Sequence, residues 1–343
     1  MAFVMKVALL GPIAWRTPPL HYGPWELITS LLAEGLTARG IDVTLFATLD
    51  SVTKAALDGV SPTGYEESDE IDGRVWEALH VSHALSRSAE FDLVHNHLDW
   101  LPLAFSRHCA APMLTTIHGF SGPSILPAYE RADSHYVSIS DSDRSPRLSY
   151  AGTVHHGIDL SSLPISLEPS ADLVVFGRIH PDKGTDLAIE IARRAGRRLI
   201  ICGIVQDRDF HRAAVEPHID GDRVVYLGSV GPADRGRILG SGAALLHPIR
   251  FAEPFGLSVV ESMACGTPVI AYSKGSMPEV IDEGVTGRLV ADADEAVAAV
   301  AGIDAIDRGA CARRARERFS AGRMVDDYLT IYRKIVSRIG VSC

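Results

Sequence analysis

Short apolar runs alternate with amphipathic stretches along the chain, as in proteins that alternate strands and helices. The run Lys6–Leu10 predicts a buried strand that a Gly-Pro pair ends. Pro24 suits the first turn of a helix, in which apolar residues recur at helical spacing as far as Leu36. Ile41–Ala47 predicts the next strand. This β-α-β unit implies parallel strands joined by a right-handed crossover.

The same pattern continues to residue 160 and starts again after a polar stretch at 160–170. The later strands are predicted at 91–97, 113–119, 135–140, 152–159, 172–179, 198–204, 223–230, 243–249 and 267–272. Buried strands that alternate with helices indicate open parallel sheets. We therefore expect an α/β protein with a Rossmann-like N-terminal domain at 1–160 and a second Rossmann-like domain at 161–318. A C-terminal helix at 319–343 should pack back toward the first domain.

The charge distribution limits the partners of this chain. The 343 residues include 33 Lys and Arg against 43 Asp and Glu, a formal charge of −10. Residues 1–160 hold 10 basic and 19 acidic side chains, so their net charge is −9. Nucleic acids and anionic membranes attract surfaces of the opposite sign, so we expect no nucleic-acid partner. No apolar run reaches the roughly 20 residues that cross a bilayer, so we expect no integral membrane association.

The cysteines and the N-terminus favour a cytoplasmic protein. Five scattered cysteines without a C-x-x-C pair are typical of reduced thiols rather than of disulfides or a zinc site. Lys6 interrupts the first apolar run, which does not fit a signal peptide. The sequence does not indicate an oligomeric state.

A basic loop follows the first predicted strand of the second domain. The segment Gly177–Gly184 (GRIHPDKG) places Arg178 and Lys183 between a strand end and a helix. Ligands of open α/β sheets bind beyond the carboxyl ends of the strands. Two cations beside the free amides of a helix N-terminus form an anion site that suits a diphosphate. The alternative is a basic surface loop.

An acidic loop follows further along the same domain. The segment Phe251–Leu257 (FAEPFGL) presents Glu253 and leads into a predicted helix at Leu257–Ala264. The first amides of this helix can bind a phosphate, and Glu261 lies one turn further on. A carboxylate can accept two hydroxyls of a ribose or a hexose. The alternatives are a plain loop residue for Glu253 and a helix-surface charge for Glu261.

Together these motifs resemble those of retaining GT-B glycosyltransferases of the GT4 type. The pattern G-R-x-x-P-x-K-G is followed by E-P-F-G-L-x-x-x-E and C-G-T-P-V-I, and GSMPEV, DEGVTGRLV and VHHGID continue the similarity. The resemblance spans nearly the whole chain and is densest over residues 172–290. It implies the GT-B fold, in which two Rossmann-like domains face each other across a cleft. It also implies transfer of a hexose from a nucleotide sugar, with a UDP-sugar favoured and a GDP-sugar possible.

The resemblance gives these residues roles. Arg178 and Lys183 would hold the diphosphate of the nucleotide sugar, Glu253 would contact hydroxyls of the transferred sugar, and His118 would face that sugar from the first domain. A buried structural histidine is the alternative for His118. Further contacts to the nucleotide sugar would come from Glu261 at the ribose and from Phe255, Gly256, Leu257, Gly177 and Gly23. Because the two cations would replace a metal ion, the resemblance implies no metal and no cofactor.

The acceptor side is predicted from the first domain. Pro24 replaces one of the paired glycines of the family, which removes an amide and puts phosphate contact by the Gly23 loop in doubt. An aromatic and polar pocket for the acceptor is predicted from Trp15, Arg16, His21 and Tyr22, with Asn96 and His97 lining it rather than binding a metal. The alternative is a loop packed for its own stability.

Within the family, the segments YGPWELI, DLVHNHLDWLPLAF and TTIHG are most similar to a branch with tetrahydrobiopterin glucosyltransferase and sugar transferases of antibiotic pathways. The resemblance therefore implies a small soluble acceptor, such as a natural-product precursor or a pterin. Two alternatives remain: a nucleotide-sugar isomerase or hydrolase on the same fold, and a non-catalytic protein that binds sugar nucleotides. The Arg-rich stretch 313–318 is interpreted as a solvated helix face.

Overall fold

The computed structural model describes residues 4–119 and 123–339, which form two compact units. The first unit consists of the residues up to Gly157 together with those from Ala321 onward, and the second is Ile158–Ser320. The expected boundaries, after residues 160 and 318, differ from these by two or three positions. No helix in the described ranges has both the length and the apolar character needed to span a bilayer.

The first unit is built on a parallel sheet of seven strands within the described residues. Its strands are β1 (Lys6–Leu10), β2 (Asp42–Phe46), β3 (Ala56–Asp58), β4 (Leu93–Asn96), β5 (Met113–Ile117), β6 (His135–Ser138) and β7 (Tyr150–Thr153). Their order across the sheet is β3-β2-β1-β4-β5-β6-β7. The helices are α1 (Pro24–Thr37), α2 (Gly73–Ser86) and α3 (Leu126–Arg131).

The register of the first sheet places the ends of its central strands side by side. Leu10 pairs with Phe46 on one side and with Asn96 on the other, and Asn96 pairs with Thr115. The chain order reverses between β1 and β4, which is where ligands bind in open parallel sheets. The carboxyl ends of β1, β4 and β5 therefore form the expected functional edge of this unit.

The second unit contains a parallel sheet of six strands in the part of the chain that is described. Its strands are β8 (Leu173–Phe176), β9 (Leu199–Cys202), β10 (Val224–Tyr226), β11 (Ala244–His247), β12 (Val269–Tyr272) and β13 (Gly287–Val290), in the order β10-β9-β8-β11-β12-β13. Its helices are α4 (Thr185–Arg194), α5 (Arg208–Phe210), α6 (Pro232–Ser241), α7 (Leu257–Ala264), α8 (Met277–Val280), α9 (Ala293–Ala301) and α10 (Arg308–Phe319).

The last helix, α11 (Ala321–Ile339), returns to the first unit. It packs on α1, where a Cβ at Gly35 would lie 2.4 Å from Val325. The Arg39 guanidinium bonds Asp326 at 2.7 Å and the Gly322 carbonyl at 3.0 Å. The glycine on α1 therefore permits close contact between the two helices.

Three expectations about elements need correction. The strand expected at 152–159 is β7, which ends at Thr153, and the strands β3 and β13 and the helix α2 were not expected. The Arg-rich stretch is not simply solvated. Arg316 donates to the Ala264 carbonyl at 3.0 Å, and Arg318 donates to the Val280 and Glu279 carbonyls at 3.1 and 2.6 Å. These arginines satisfy carbonyl groups near the ends of α7 and α8.

Candidate functional site

The basic loop begins where β8 meets the end of β9. The Gly177 amide donates to the Cys202 carbonyl at 3.0 Å. A Cβ at Gly203, whose φ is +149°, would lie 1.8 Å from the Gly177 oxygen, so only glycine fits there. Arg178 is half-buried, and its guanidinium bonds the side-chain oxygen of Gln206. Sequence reasoning missed Gln206, although its position just beyond a strand end was a usable indication.

An open depression lies beside this pair. Its lining residues are His180, Gln206, Asp207, Arg208, Asp209 and Arg212. A Cβ at Gly177 would meet no described atom within 4 Å. The backbone next to Arg178 can therefore be approached closely by a ligand.

The second half of the basic loop is attached to the segment after β11. Gly184 has a φ of +67°, and a Cβ there would lie 2.1 Å from the Pro248 oxygen. The Arg250 amide donates to the Asp182 carbonyl at 2.7 Å, and the Arg250 guanidinium binds both carboxylate oxygens of Asp186 at 2.8 and 2.6 Å. These contacts bring Lys183 to the acidic loop, 70 residues further along the chain.

Lys183 and Glu253 form a largely buried ion pair. The ammonium lies 2.5 Å from Glu253 Oε2 and 4.7 Å from the centre of the Phe251 ring. Glu253 Oε2 is also 3.4 Å from Nε2 of buried His247, a distance too long for a good hydrogen bond. Burial alone would raise the pKa of Glu253, but His247 and the Lys183 charge outweigh it and lower the pKa to about 2. Glu253 is therefore ionised at neutral pH.

Only one oxygen of Glu253 is occupied. Among the described residues, the side-chain hydrogen bond to Glu253 comes from Lys183 and ends on Oε2, which leaves Oε1 for another donor such as a hydroxyl. Burial is the main reason why the pKa of His247 is lowered. His247 is thus a neutral ring beside the carboxylate. Sequence reasoning missed it, although it ends β11.

The GSMPEV motif holds the acidic loop in place. Gly275 has a φ of +58°, and a Cβ there would lie 2.3 Å from the Glu253 nitrogen and 2.4 Å from its carbonyl oxygen. The Ser276 amide donates to the Glu253 carbonyl at 2.8 Å, and its hydroxyl donates to the Phe255 carbonyl at 3.0 Å. The motif therefore fixes the backbone of the loop that carries Glu253.

Helix α7 begins directly after this loop without a side-chain cap. Its N-cap is Gly256, with a φ of +89°, and Phe255 is buried. Glu261 is also buried and lies 2.9 Å from Arg235 on α6, whose guanidinium stacks 5.0 Å from the Phe176 ring. The alternative of a helix-surface charge for Glu261 is therefore wrong. No sequence pattern indicated Arg235.

The two motifs thus contribute to three side-chain pairs of the second unit: Arg178 with Gln206, Lys183 with Glu253, and Glu261 with Arg235. Arg178 and Lys183 contact different partners, Gln206 and Glu253. In the described ranges, no group of three or more His, Cys, Asp or Glu side chains is arranged to hold a metal ion.

His118 lies in the first unit with both ring nitrogens engaged. Its Nε2 is 3.0 Å from His97, and its Nδ1 is 3.3 Å from His156. The ring also stacks on Trp25 at 5.2 Å. Burial, helped by the neighbouring histidines, keeps the pKa of His118 well below its usual value. A hydrogen bond from this ring to a sugar hydroxyl would require one of these contacts to open.

Asn96 and His97 are fully buried in the same unit. The Asn96 amide donates to the Asp99 carbonyl at 2.9 Å, and its oxygen accepts from the Leu98 amide at 2.8 Å. Both side chains therefore contact protein groups in this structure. Their contact with an acceptor stays a prediction.

The loop after β1 surrounds a buried carboxylate. Trp15 packs edge-on against Tyr22 at 6.2 Å, and the Trp15 amide donates to Glu26 Oε1 at 3.2 Å. The Arg16 amide donates to Glu67, and His21 is exposed. Gly23 has a φ of +146°, and a Cβ there would lie 2.9 Å from Glu26 Oε2. Glu26 was not singled out from the sequence. Burial raises its pKa to about 7.

Comparison with known proteins identifies the family. The profile described as Glycosyl transferases group 1 matches residues 166–320. The D-inositol 3-phosphate glycosyltransferase of Mycobacterium marinum is 31% identical, over 98% of this chain and 87% of the relative. The glycogen synthase of Mycobacterium tuberculosis is 25% identical, over 92% of this chain and 90% of the relative.

Solved structures show the same fold. AviGT4, a glycosyltransferase involved in avilamycin A biosynthesis, has a TM-score of 0.76 at 23% identity, covering 97% of this chain and 98% of AviGT4. Anabaena HepE in complex with UDP and glucose has a TM-score of 0.72 at 18% identity, covering 95% of this chain and 98% of HepE. This chain therefore has the GT-B fold and belongs to the group 1 glycosyltransferases, the GT4-like family.

Proposed function

We propose that this glycosyltransferase transfers a hexose from a UDP-sugar, or less readily from a GDP-sugar, to a small soluble acceptor in the cytoplasm. The observation that carries the proposal is the buried, ionised Glu253 held by Lys183 beside the uncapped start of α7. The carboxylate offers one oxygen to sugar hydroxyls. The ammonium and the helix amides offer positive charge to a diphosphate.

In the proposed reaction, the bond between the anomeric carbon and the diphosphate oxygen breaks. The oxygen of the acceptor hydroxyl bonds to the same carbon from the same face, so the anomeric configuration is retained. The acceptor proton moves to the departing diphosphate. Arg178 and Lys183 stabilise the charge that develops there, so no metal ion is needed. Removal of a single stabilising donor of this kind costs about 3–4 kcal/mol.

Glu261 and the backbone at Gly177 would complete the binding of the nucleotide. Arg235 holds one carboxylate oxygen of Glu261 at 2.9 Å and leaves the second oxygen for ribose hydroxyls. The open space at Gly177 suits close approach of a ligand. The complex of HepE with UDP and glucose supports a uridine nucleotide.

The first unit favours a neutral or cationic acceptor. Residues 1–157 and 321–343, which make up this unit, hold 14 basic and 20 acidic side chains, so its net charge is −6. A phosphorylated acceptor such as D-inositol 3-phosphate, named in the relatives, would be repelled by these charges. The similarity to an avilamycin-pathway enzyme supports a natural-product precursor, and a pterin is the other candidate.

The test is a transfer assay with UDP-, GDP- and ADP-sugars against a panel of neutral, cationic and phosphorylated acceptors, with and without EDTA. We expect transfer to be retained in EDTA and the NMR coupling of the product to show retention. Arg178→Ala and Glu253→Gln should abolish transfer and keep the fold. Arg237→Ala is the control, because Arg237 is an exposed arginine of the same unit. Rapid turnover of the nucleotide sugar without any acceptor would instead indicate a hydrolase or isomerase.

A further inference from the structure

Four buried histidines of the first unit form a continuous chain of hydrogen bonds. Ring nitrogens of His95 and His97 lie 3.2 Å apart, and those of His97 and His118 lie 3.0 Å apart. His118 continues the chain to His156 at 3.3 Å. None of the four residues is more than 8% exposed. The histidine chain is therefore buried along its whole length, away from direct exchange of protons with solvent.

The His95 end of the chain is anchored on the C-terminal helix. His95 Nδ1 lies 2.6 Å from the Tyr332 hydroxyl, and its Nε2 lies 2.8 Å from the Thr116 hydroxyl. Thr116 in turn lies 2.8 Å from the hydroxyl of Tyr328. Two tyrosines of α11 thus hold the His95 end of the histidine chain, Tyr332 directly and Tyr328 through Thr116. Both contacts join positions more than 200 residues apart in the sequence.

Each ring in this chain carries a single N–H. Burial lowers the pKa of His97 and of His156 to about 3, and it holds those of His95 and His118 well below the usual value. A neutral imidazole donates from one nitrogen and accepts at the other. The N–H groups of His97, His118 and His156 must therefore all point the same way along the chain, either toward His95 or away from it.

We propose that Tyr332 sets this direction and thereby positions His118. Tyr332 is fully buried and protonated, and a phenol is a stronger acid than a neutral imidazole N–H, so the hydroxyl donates to His95 Nδ1. His97 must then direct its own N–H toward the same atom, because two lone pairs would repel each other at 3.2 Å. The direction of the first bond therefore determines all the others.

The consequence at His118 is a defined tautomer. Because Nδ1 of His97 is then bare, His118 donates to it from Nε2 and accepts at Nδ1 from His156. The ring is held in this state while it stacks on Trp25, with an angle of 22° between the two planes. Tyr332 is thus a positioning residue. Its effect on catalysis rests on the proposed function, in which His118 faces the transferred sugar.

The first experiment needs no substrate. The ring 15N shifts of histidine-labelled protein report each tautomer, and His118→Gln assigns the signal of His118. We expect the Nε2–H form in the unaltered protein and both tautomers in Tyr332→Phe. Tyr136→Phe is the matched control, because this buried tyrosine of the same unit donates to the Tyr129 carbonyl at 2.6 Å and does not touch the chain. An unchanged tautomer in Tyr332→Phe overturns the proposal.

The second experiment measures transfer by the same variants. We expect Tyr332→Phe to lower kcat roughly tenfold with little change in KM for the nucleotide sugar. Both variants should lower the melting temperature by similar amounts, and Tyr136→Phe should keep its kcat. Equal loss of kcat in the two variants would reduce Tyr332 to a structural residue. If the unaltered protein transfers no sugar, the proposed function fails, whereas the tautomer measurement still decides the direction of the chain.

Discussion

Acidification should destabilise the first unit between about pH 6.5 and pH 5, because its buried histidines remain unprotonated in the native state. The histidines of this unit whose pKa is lowered, in each case mainly by burial, are His80, His95, His97, His118 and His156. The pKa of His80 falls to about 4, and those of His97 and His156 fall to about 3.

The sign follows from the protons bound by each state. An unfolded histidine has a pKa of about 6.5, so below that pH the unfolded chain binds protons that the native rings cannot. Stability is therefore present above pH 6.5 and is lost as the pH falls. At pH 5 a histidine with a native pKa of 3 to 4 favours unfolding by about 2 kcal/mol. The summed effect of three to five such residues approaches the whole free energy of unfolding of a typical domain, about 5–15 kcal/mol.

Three carboxyl groups oppose this effect, and one of them, Glu77, has a pKa that burial raises. Burial raises the pKa of Glu26 and of Asp143 to about 7, so both hold a proton in the native state that the unfolded chain releases above its own lower pKa. They therefore stabilise the native state as the pH falls from 7 toward 5. The five histidines outweigh them. Near pH 5.5 the first unit therefore takes up about three protons when it unfolds. Its free energy of unfolding should fall by about 4 kcal/mol for each pH unit of acidification.

The assay is urea unfolding followed by tryptophan fluorescence at several pH values. All four tryptophans lie in the first unit, at positions 15, 25, 76 and 100. His80→Gln should lower the proton uptake by about one, and Glu26→Gln should raise it by about one. Glu26→Gln should also stabilise the unit at pH 8 by about 3 kcal/mol. An unfolding free energy that changes by less than about 1 kcal/mol between pH 7 and pH 5.5 would refute the reasoning.

Two further predictions concern the second unit. Gly275→Ala should displace the Glu253 backbone, because the new Cβ would meet it at 2.3 Å, and should lower kcat/KM by roughly 100-fold with an unchanged far-UV circular dichroism spectrum. Wild-type kinetics in this variant would show that the loop tolerates the shift. Lys183→Met should cost about 3 kcal/mol in urea unfolding, because it leaves a buried carboxylate without its cation. Adding Glu253→Gln should restore most of that loss, and a double variant as unstable as Lys183→Met would contradict the charge argument.

Local patterns predicted most elements of this protein. The strand at Lys6–Leu10 and the helix at Leu257–Ala264 occur with the expected bounds, since an apolar run and a Pro-Gly loop specify them. Helix α2 (Gly73–Ser86) was missed. Only four of its residues are buried, so its apolar periodicity is weak. The strand expected at 152–159 ends at Thr153. The residues after it lie outside the sheet, and His156 is buried against His118 instead.

The side chains of the site were easier to predict than their partners. Arg178, Lys183 and Glu253 stand in recognisable motifs, but the pair Lys183–Glu253 joins positions 70 residues apart. Arg235 and Tyr332 lie in no motif, and tertiary packing alone brings them to their partners. Such pairings depend on the register of the sheets, which a single sequence does not specify.

The central claim is that Arg178, Lys183 and the start of α7 bind the diphosphate of a nucleotide sugar. A crystal structure of the protein with a UDP-sugar tests it most directly. The account predicts diphosphate oxygens at about 3 Å from both cations and from the first amides of the helix, with a sugar hydroxyl on Glu253 Oε1. A diphosphate bound away from both cations would contradict the account.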